Sequence, residues 1–193
     1  KKELQLESLN GKTLCVDAFN TLYQFLSSVR QMDGTPLMDS KKQITSHLSG
    51  ILYRNAALLE QGIKLVYVFD GKAPDLKAKT HKKRKEAKEL AAEKYEEAKQ
   101  EEDIMRMKRY SSQLVRLDDE MIKESKELLI AMGVAIVQAP SEGEAEAAYL
   151  AKKKEVYAAA SQDYDSLLFG TPRLIQNLTL ARKRKTISGY REV

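Results

Sequence analysis

The chain has 193 residues, and its 33 lysines and arginines against 28 aspartates and glutamates leave a net charge of +5. Its composition, 42% hydrophobic and 32% charged, excludes a collagen-like chain and one that is disordered throughout. The single cysteine, Cys15, excludes a disulfide framework and a multi-cysteine zinc site, and it favours a reducing, intracellular compartment. No apolar stretch approaches the roughly 18 residues of a membrane span, so no membrane contact is expected.

Five short apolar runs predict buried strands, and the segments between them have helical spacing. Strands are expected at Thr13 to Val16, Lys64 to Phe69, Val134 to Val137, Val156 to Ala160 and Arg173 to Ile175. Helices are expected at Phe19 to Val29, at Ile44 to Leu59, within a long stretch from about Pro74 to Met132, and at Glu142 to Lys152. Strands that alternate with helices indicate an α/β fold with a doubly wound, mostly parallel sheet and helices on both faces.

The long stretch divides into two halves of different character. Ser112 to Met132 carries an apolar stripe, whereas Lys79 to Tyr110 has 11 Lys and Arg and 8 Asp and Glu in 32 residues. That composition predicts a protruding helical insertion rather than a core element. Basic blocks at Lys77 to Lys88 and Arg182 to Lys185 suit phosphates, although a solvated surface explains such blocks about equally well.

Acidic residues follow four of the five predicted strands. Ligand sites in open α/β sheets form outside the carboxyl ends of the strands, so these side chains are expected to face one rim. A role in helix capping could explain some of these acidic residues individually. Asp17 or Asp163 could cap a following helix, and Ser141 with Glu144 fits a capping box. Crowding of all six, however, costs stability unless a cation compensates. The six are Asp17, Asp70, Glu142, Glu144, Asp163 and Asp165.

Oxygen ligands without neighbouring His or Cys suit Mg²⁺ or Mn²⁺ rather than zinc, because His47 and His81 fall outside these loops. Two such ions can activate a water and neutralise a leaving oxygen, as in many nucleases and phosphatases. Other α/β chemistries lack their residues: the sequence has no dinucleotide-binding or P-loop glycine motif and no G-x-S-x-G elbow. Phe19 stands where an aspartyl-phosphate phosphatase needs a second aspartate.

Several strings in order resemble the flap endonuclease family of structure-specific 5′ nucleases, in its archaeal and eukaryotic form. The resemblance spans nearly the whole chain and implies a PIN-like fold and Mg²⁺-dependent hydrolysis of DNA phosphodiesters at single-strand/double-strand junctions in replication and repair. It thereby implies both 5′ flap endonuclease and 5′-3′ exonuclease activity. The strings are residues 16–20, 22–26, 45–48, 66–72, 139–147 and 158–165.

The resemblance also implies roles for individual residues. The six carboxylates become ligands of two Mg²⁺ ions, with Mn²⁺ as a substitute, and Lys77 and Arg84 contact the scissile phosphate and stabilise developing charge. Tyr23 matches an aromatic residue of the family on which a DNA base stacks. The alternative is that Tyr23 is a tyrosine of the core. The remaining matches to DNA contacts are Arg30 and Arg54 near phosphates, Thr45 and Ser46 in a pocket for a one-nucleotide 3′ flap, and Lys82 and Lys83 in a helical arch.

By this resemblance residues 1–193 form the nuclease core, with 77–110 as the arch or clamp for the 5′ strand. The family's helix-hairpin DNA-binding region, its last metal-ligating aspartate and its clamp-binding tail find no counterpart in this sequence. The expected partners are branched DNA with a 5′ flap and, for a full-length protein, a sliding clamp (PCNA). The expected location is the cytoplasm of a prokaryote, or the nucleus of a eukaryote.

Two alternatives remain open at the level of sequence. One is a sister nuclease of the same superfamily that acts on bubbles, nicks or 5′ ends, since the rim carboxylates serve all of these substrates. The other is a non-catalytic or incomplete nucleic-acid-binding core that holds its second metal ion poorly. Substrate preference separates the first alternative, and the number of divalent ions bound separates the second.

Overall fold

The computed structural model describes residues 3–31, 34–72, 78–179, 183–186 and 189–192; the side chains of residues 78–86, 88, 108, 112 and 180–193 lie outside the description. A short 3₁₀ helix, Leu6–Leu9, precedes the first strand, and another, Ser112–Leu114, follows the fourth helix. The strands are β1 (Thr13–Asp17), β2 (Lys64–Phe69), β3 (Ala135–Gln138), β4 (Ala158–Ala160), β5 (Leu174–Ile175), β6 (Lys183–Thr186) and β7 (Gly189–Glu192). The helices are α1 (Ala18–Ser28), α2 (Ser46–Glu60), α3 (Ala78–Gln100), α4 (Ile104–Ser111), α5 (Asp119–Ala131), α6 (Gly143–Lys152) and α7 (Asp165–Leu168).

The central sheet has five strands in the order β3-β2-β1-β4-β5, and every neighbouring pair is parallel. This confirms the predicted α/β fold with a doubly wound sheet. The chain builds the sheet outward from β1 in one direction through β2 and β3, and in the other through β4 and β5. The switch point therefore lies between β1 and β4, where open α/β sheets form their ligand sites.

The core has two layers, one on each face of the sheet, because successive side chains of a strand point to opposite faces. On one face, Leu14 and Val16 of β1 and Tyr67 of β2 pack with residues of α1, α2 and α5. On the other face, Cys15 of β1 and Val68 of β2 pack with the alanine-rich side of α6. Burial raises the pKa of the Cys15 thiol to about 12, which keeps this cysteine protonated and unreactive.

The charged stretch is helical, as predicted, and it forms two helices, α3 and α4, joined by a turn at residues 101–103. Two small side chains of this stretch, Ala91 and Ala98 of α3, are buried. These alanines are seven residues apart and so share one side of the helix, which lets another backbone approach closely. Beside the turn, Arg106 pairs with Glu97 at 3.8 Å and with Glu101.

The antiparallel pair of β6 and β7 was not predicted. β6 falls on the basic block at Arg182 to Lys185, which has none of the apolar alternation that indicates a strand. In the part of the chain that the structure describes, no helix is both long and apolar enough to cross a membrane.

Candidate active site

The six predicted carboxylates lie at the carboxyl edge of the sheet. Asp17 is the last residue of β1, and Asp70 directly follows β2. Glu142 and Glu144 lie at the start of α6 in the β3–α6 connection, while Asp163 and Asp165 follow β4 in the same way. Because all five strands are parallel, these connections meet at one rim, and β1 and β4 place Asp17 and Asp163 at the switch point.

Asp17 is both a helix cap and a buried acid. It is the N-cap of α1, and its Oδ1 accepts a hydrogen bond of 3.0 Å from the backbone N–H of Asn20. Its Oδ2 accepts a bond of 3.3 Å from the Ser161 hydroxyl, and only 6% of the residue is exposed. Burial is the main cause that raises the pKa of Asp17 to about 6, and the charges of Asp70 and Asp163 add to it. The capping interpretation is therefore correct for Asp17 and does not compete with a role at the rim.

Asn20 and Ser161 join the two sides of the switch point, a role that sequence reasoning missed. The Asn20 side chain donates through Nδ2 to Asp163 Oδ2 at 2.9 Å, and the Ser161 hydroxyl accepts from the backbone N–H of Asp163 at 3.2 Å. Since Asn20 and Ser161 also bind Asp17, the two residues hold both carboxylates in one network. Their positions in the sequence could have indicated this role, because Asn20 stands three residues after an N-cap aspartate and Ser161 directly follows β4.

Asp70 is attached to the start of α6. Its Oδ1 accepts a hydrogen bond of 2.7 Å from the backbone N–H of Gly143, the first residue of that helix. A Cβ atom at Gly143 would lie 2.6 Å from the same oxygen, so a side chain there would displace the carboxylate. The capping-box interpretation of this segment is wrong, because the N-cap is Glu142 and the Ser141 hydroxyl instead donates to the carbonyl of Lys72 at 3.3 Å. Because Glu142 and not Ser141 is the N-cap, Glu144 has no role in a capping box.

The pKa of Glu144 reflects the carboxylates that surround it. Burial, as the larger cause, and the charges of Asp17, Asp165, Asp163 and Asp70 together raise its pKa to about 7. Four aspartates from three connections therefore act on one glutamate. Like charges held together in this way favour a compensating cation, which is the electrostatic condition of a metal site.

The donor set fits a divalent cation by its chemistry. It consists of carboxylate oxygens, which Mg²⁺ and Mn²⁺ prefer, and the glycine cradle at Gly143 fixes the direction of Asp70. The cluster is nevertheless open: among the described residues, no three His, Cys, Asp or Glu side chains form a group that could hold an ion as they stand. His47 takes no part, because it is fully buried and bonds Glu124 at 3.1 Å, which agrees with a structural histidine.

The predicted DNA contacts fall into three groups. Tyr23 is 42% exposed on α1, so the alternative of a core tyrosine is wrong and its ring is available for stacking. Arg54 is partly exposed on α2. Lys77 lies outside the described residues, and the same holds for the side chains of Lys82, Lys83 and Arg84, whose backbone belongs to α3.

The third group, Arg30, Thr45 and Ser46, makes hydrogen bonds within the protein. The Arg30 guanidinium donates to the carbonyls of Leu26 at 3.0 Å and Gly34 at 2.8 Å, which fastens the loop after α1. Ser46 is fully buried, and its hydroxyl donates to the Val29 carbonyl at 2.7 Å and accepts from the Leu37 N–H at 2.9 Å. The role of Ser46 in a nucleotide pocket stays a prediction, and its side chain is engaged in these two contacts. The neighbouring Thr45 is partly exposed and bonds the Leu37 carbonyl only through its backbone N–H.

Comparison with known proteins finds relatives over nearly the whole chain. The chain matches the XPG N-terminal domain over residues 1–91 and the XPG I-region over residues 133–192. It is 57% identical over 185 residues to flap endonuclease 1 of Pyrococcus furiosus and 58% identical over 185 residues to that of Pyrococcus abyssi. Each alignment covers 96% of this chain and 54% of the relative, so the chain spans about half the length of these proteins.

Solved structures give the same result for the fold. A flap endonuclease-1 from Methanococcus jannaschii is similar with a TM-score of 0.71 and 46% identity, covering 94% of this chain and 57% of that one. The catalytic core of Rad2 in complex with a DNA substrate is similar with a TM-score of 0.67 and 33% identity, covering 91% of this chain and 46% of that one.

Proposed function

Because this chain belongs to the flap endonuclease family, we propose that it carries the nuclease core of an enzyme that cuts 5′ flaps by hydrolysis of DNA phosphodiesters. The observation that carries the proposal is the electrostatic cluster on Glu144, where Asp17, Asp70, Asp163 and Asp165 act on one side chain at the sheet's switch point. The relatives named flap endonuclease and the Rad2 core in complex with DNA support the same substrate class.

The proposed cofactor is a pair of Mg²⁺ ions, which Mn²⁺ can replace, held by the six rim carboxylates. Bound there, the ions would supply an activated water and neutralise charge on the leaving oxygen. The chain's own contribution is to aim the ligands. Asn20 and Ser161 orient Asp17 and Asp163, while the N–H of Gly143 orients Asp70. Such outer partners hold ligands in place before any ion or substrate binds.

The DNA would lie over this rim. Tyr23 would stack on a base near the cut, a contact worth about 1–3 kcal/mol in single-strand binders, and its exposure on the helix that follows Asp17 supports this role. Lys77 and Arg84 are proposed to stabilise charge on the scissile phosphate, and residues 77–110 to guide the 5′ strand. A sliding clamp as partner, 5′-3′ exonuclease activity, a role in replication and repair, and an intracellular location remain predictions from the family.

The test is cleavage of a 5′-labelled double-flap DNA in Mg²⁺, with EDTA as the metal-free comparison. We expect cutting at the junction, its loss in EDTA, and a reduction of more than about 100-fold in Asp163→Asn. Asp119→Asn, at an exposed position in the first turn of α5, is the matched control and should cut normally. Equal activity in the Asp163 and Asp119 variants would refute the proposal. A preference for bubbles or nicks over flaps would assign a sister activity of the same superfamily.

The second candidate function is a nucleic-acid-binding core without catalysis, and the open carboxylate cluster favours it. Calorimetric titration with Mn²⁺ separates the two: two bound ions per chain support the nuclease, whereas one or none supports the binding core. DNA binding alone does not decide, because both candidates predict an affinity that falls with salt.

A further inference from the structure

A second cleft opens at the opposite edge of the sheet from the carboxylates. Its volume is about 710 Å³, and it lies at the amino ends of β1, β4 and β5, where Lys12, Tyr157 and Arg173 directly precede or flank the strands. The size falls in the range of pockets that hold small ligands. The strands separate this basal cleft, as we call it, from the rim, so it is not a part of the candidate active site.

The basal cleft is strongly basic. Its lining includes Lys12, Lys152, Lys154 and Arg173 against a single acid, Glu155. Within the described part of the chain, none of the four cations lies in an ion pair. Four converging positive charges with one negative charge leave a positive field in the cleft, which favours an anion.

Two of the cations are held by an aromatic ring. Lys12 Nζ lies over the ring of Tyr157, 5.2 Å from its centroid, and Arg173 Cζ lies over the same ring at 4.6 Å. A cation–π contact holds a charged group in place but does not neutralise it. A carboxylate partner, by contrast, would neutralise the charge. Tyr157 therefore presents two charges that can still bind an anion.

The other two cations lie at the carboxyl end of α6, Lys152 as its last residue and Lys154 just beyond it. Lys154 has a φ of 62°, in the left-handed region where glycine ordinarily follows a helix. A Cβ atom at Gly170 would lie 2.9 Å from Lys152 Nζ, so this glycine gives the ammonium group room. The dipole of α6 favours Lys152 and Lys154 at its carboxyl end, but it does not account for Lys12 and Arg173, which directly precede β1 and β5.

We propose that the basal cleft binds phosphate groups. Lysine ammonium and arginine guanidinium groups are the usual ligands of phosphate in proteins, the arginine by paired hydrogen bonds and the lysine as a point charge. The phosphates belong either to a nucleic-acid backbone that passes behind the sheet or to a free polyphosphate. The proposal does not depend on the nuclease activity, because no rim residue lines the cleft.

The decisive variant is Lys154→Gly, because it removes a charge at a backbone position that glycine prefers and should not destabilise the fold. Arg173→Gln is the second variant, and Lys123→Gln, exposed on α5, is the control. Binding of inorganic tripolyphosphate is measured by calorimetry, and binding of a fluorescent blunt duplex by anisotropy, both in metal-free buffer. We expect each cleft variant to weaken tripolyphosphate binding about fivefold with an unchanged Tm, and the control to bind as wild type.

The two probes distinguish the source of the phosphate. Weaker binding of the duplex, with or without weaker binding of tripolyphosphate, assigns the cleft to nucleic acid. The number of ions released on duplex binding, read from the salt dependence of the affinity, should then fall by about one per removed charge. Weaker binding of tripolyphosphate alone assigns it to a free polyphosphate. If both cleft variants bind both probes as the Lys123 variant does, the proposal is overturned.

Discussion

Gly143 shows how one residue without a side chain can position a carboxylate of the rim. Its N–H donates to Asp70 Oδ1 at 2.7 Å, and this bond satisfies one of the orphan donors at the start of α6. The positive end of the helix dipole then lies against the carboxylate. Asp70 is thus held by a contact that is distant in sequence, which makes Gly143 a positioning residue.

We expect Gly143→Ala to weaken metal binding and flap cleavage by about 10- to 100-fold, because its Cβ would stand 2.6 Å from Asp70 Oδ1 and displace it. The measurement is the Mn²⁺ dissociation constant beside the cleavage rate. Gly50→Ala is the control, since its Cβ would meet the Phe25 ring, away from the rim. The control should lower the Tm without changing the Mn²⁺ dissociation constant. Equal Mn²⁺ affinity in the wild type and the Gly143 variant would contradict the positioning role.

Burial destabilises the charged form of Asp17. Its pKa rises from 3.8 to about 6 on folding, so protonation stabilises the folded state. This contribution is fully present below pH 3.8 and is lost as the pH rises through about 6. Asp17→Asn stays neutral at every pH, and its amide oxygen can still accept the capping bond from Asn20.

Without metal ions, therefore, Asp17→Asn should be more stable than the wild type at pH 7.5, by on the order of 2 kcal/mol. The difference should shrink as the pH falls below the pKa of about 6. Denaturant unfolding in EDTA at several pH values measures it, with the exposed Asp119→Asn as control. A variant less stable than the wild type at neutral pH would show that the charged form of Asp17 stabilises the fold.

Among the elements, the strands were predictable because each combines a local apolar run with a place in a buried parallel sheet. β2 has the predicted bounds, Lys64–Phe69, since its six residues are mostly β-branched or aromatic. β4 is shorter than predicted, Ala158–Ala160, because alanine has little preference for a strand and depends on burial between its neighbours. Local pattern thus indicated the order of elements better than their ends.

The features that the sequence did not reveal depend on partners far along the chain. The start of α6 is set by Asp70, 73 residues away, so the local Ser141-x-x-Glu144 pattern predicted the wrong cap. The buried side of α3 consists of alanines, which a search for large apolar residues overlooks. The carboxylate rim was predictable, by contrast, because strand ends in a parallel sheet meet at one edge whatever the distant contacts are.

The packing of α3 gives a prediction at the same scale. Ala98 is fully buried, so Ala98→Leu should overpack the helix pair and cost about 1–3 kcal/mol. Ala92→Leu, on an exposed side of the same helix, is the matched control and should cost little. Hydrogen exchange along α3 and α4 measures the difference locally. Equal protection in both variants would contradict a packed helix pair.

For the molecule as a whole, the doubly wound sheet separates two charge fields. The carboxyl ends of the strands gather carboxylates around Glu144, while the amino ends of β1, β4 and β5 gather the cations of the basal cleft. The net charge of +5 therefore conceals a polar distribution across the sheet. A folded chain that gathers carboxylates at one rim should gain stability from divalent cations, since the unfolded chain offers them no such cluster.

We expect saturating Mg²⁺ or Mn²⁺ to raise the Tm of the wild type relative to EDTA, with a gain of about 2.7 kcal/mol per site at a concentration of 100 times the dissociation constant. Glu144→Gln removes the carboxylate on which the four aspartates act and should lose most of this gain. Glu120→Gln, exposed in the first turn of α5, should keep it. A gain of the same size in the Glu144 variant would place the cation outside the rim, because a site that includes this carboxylate must bind more weakly without it.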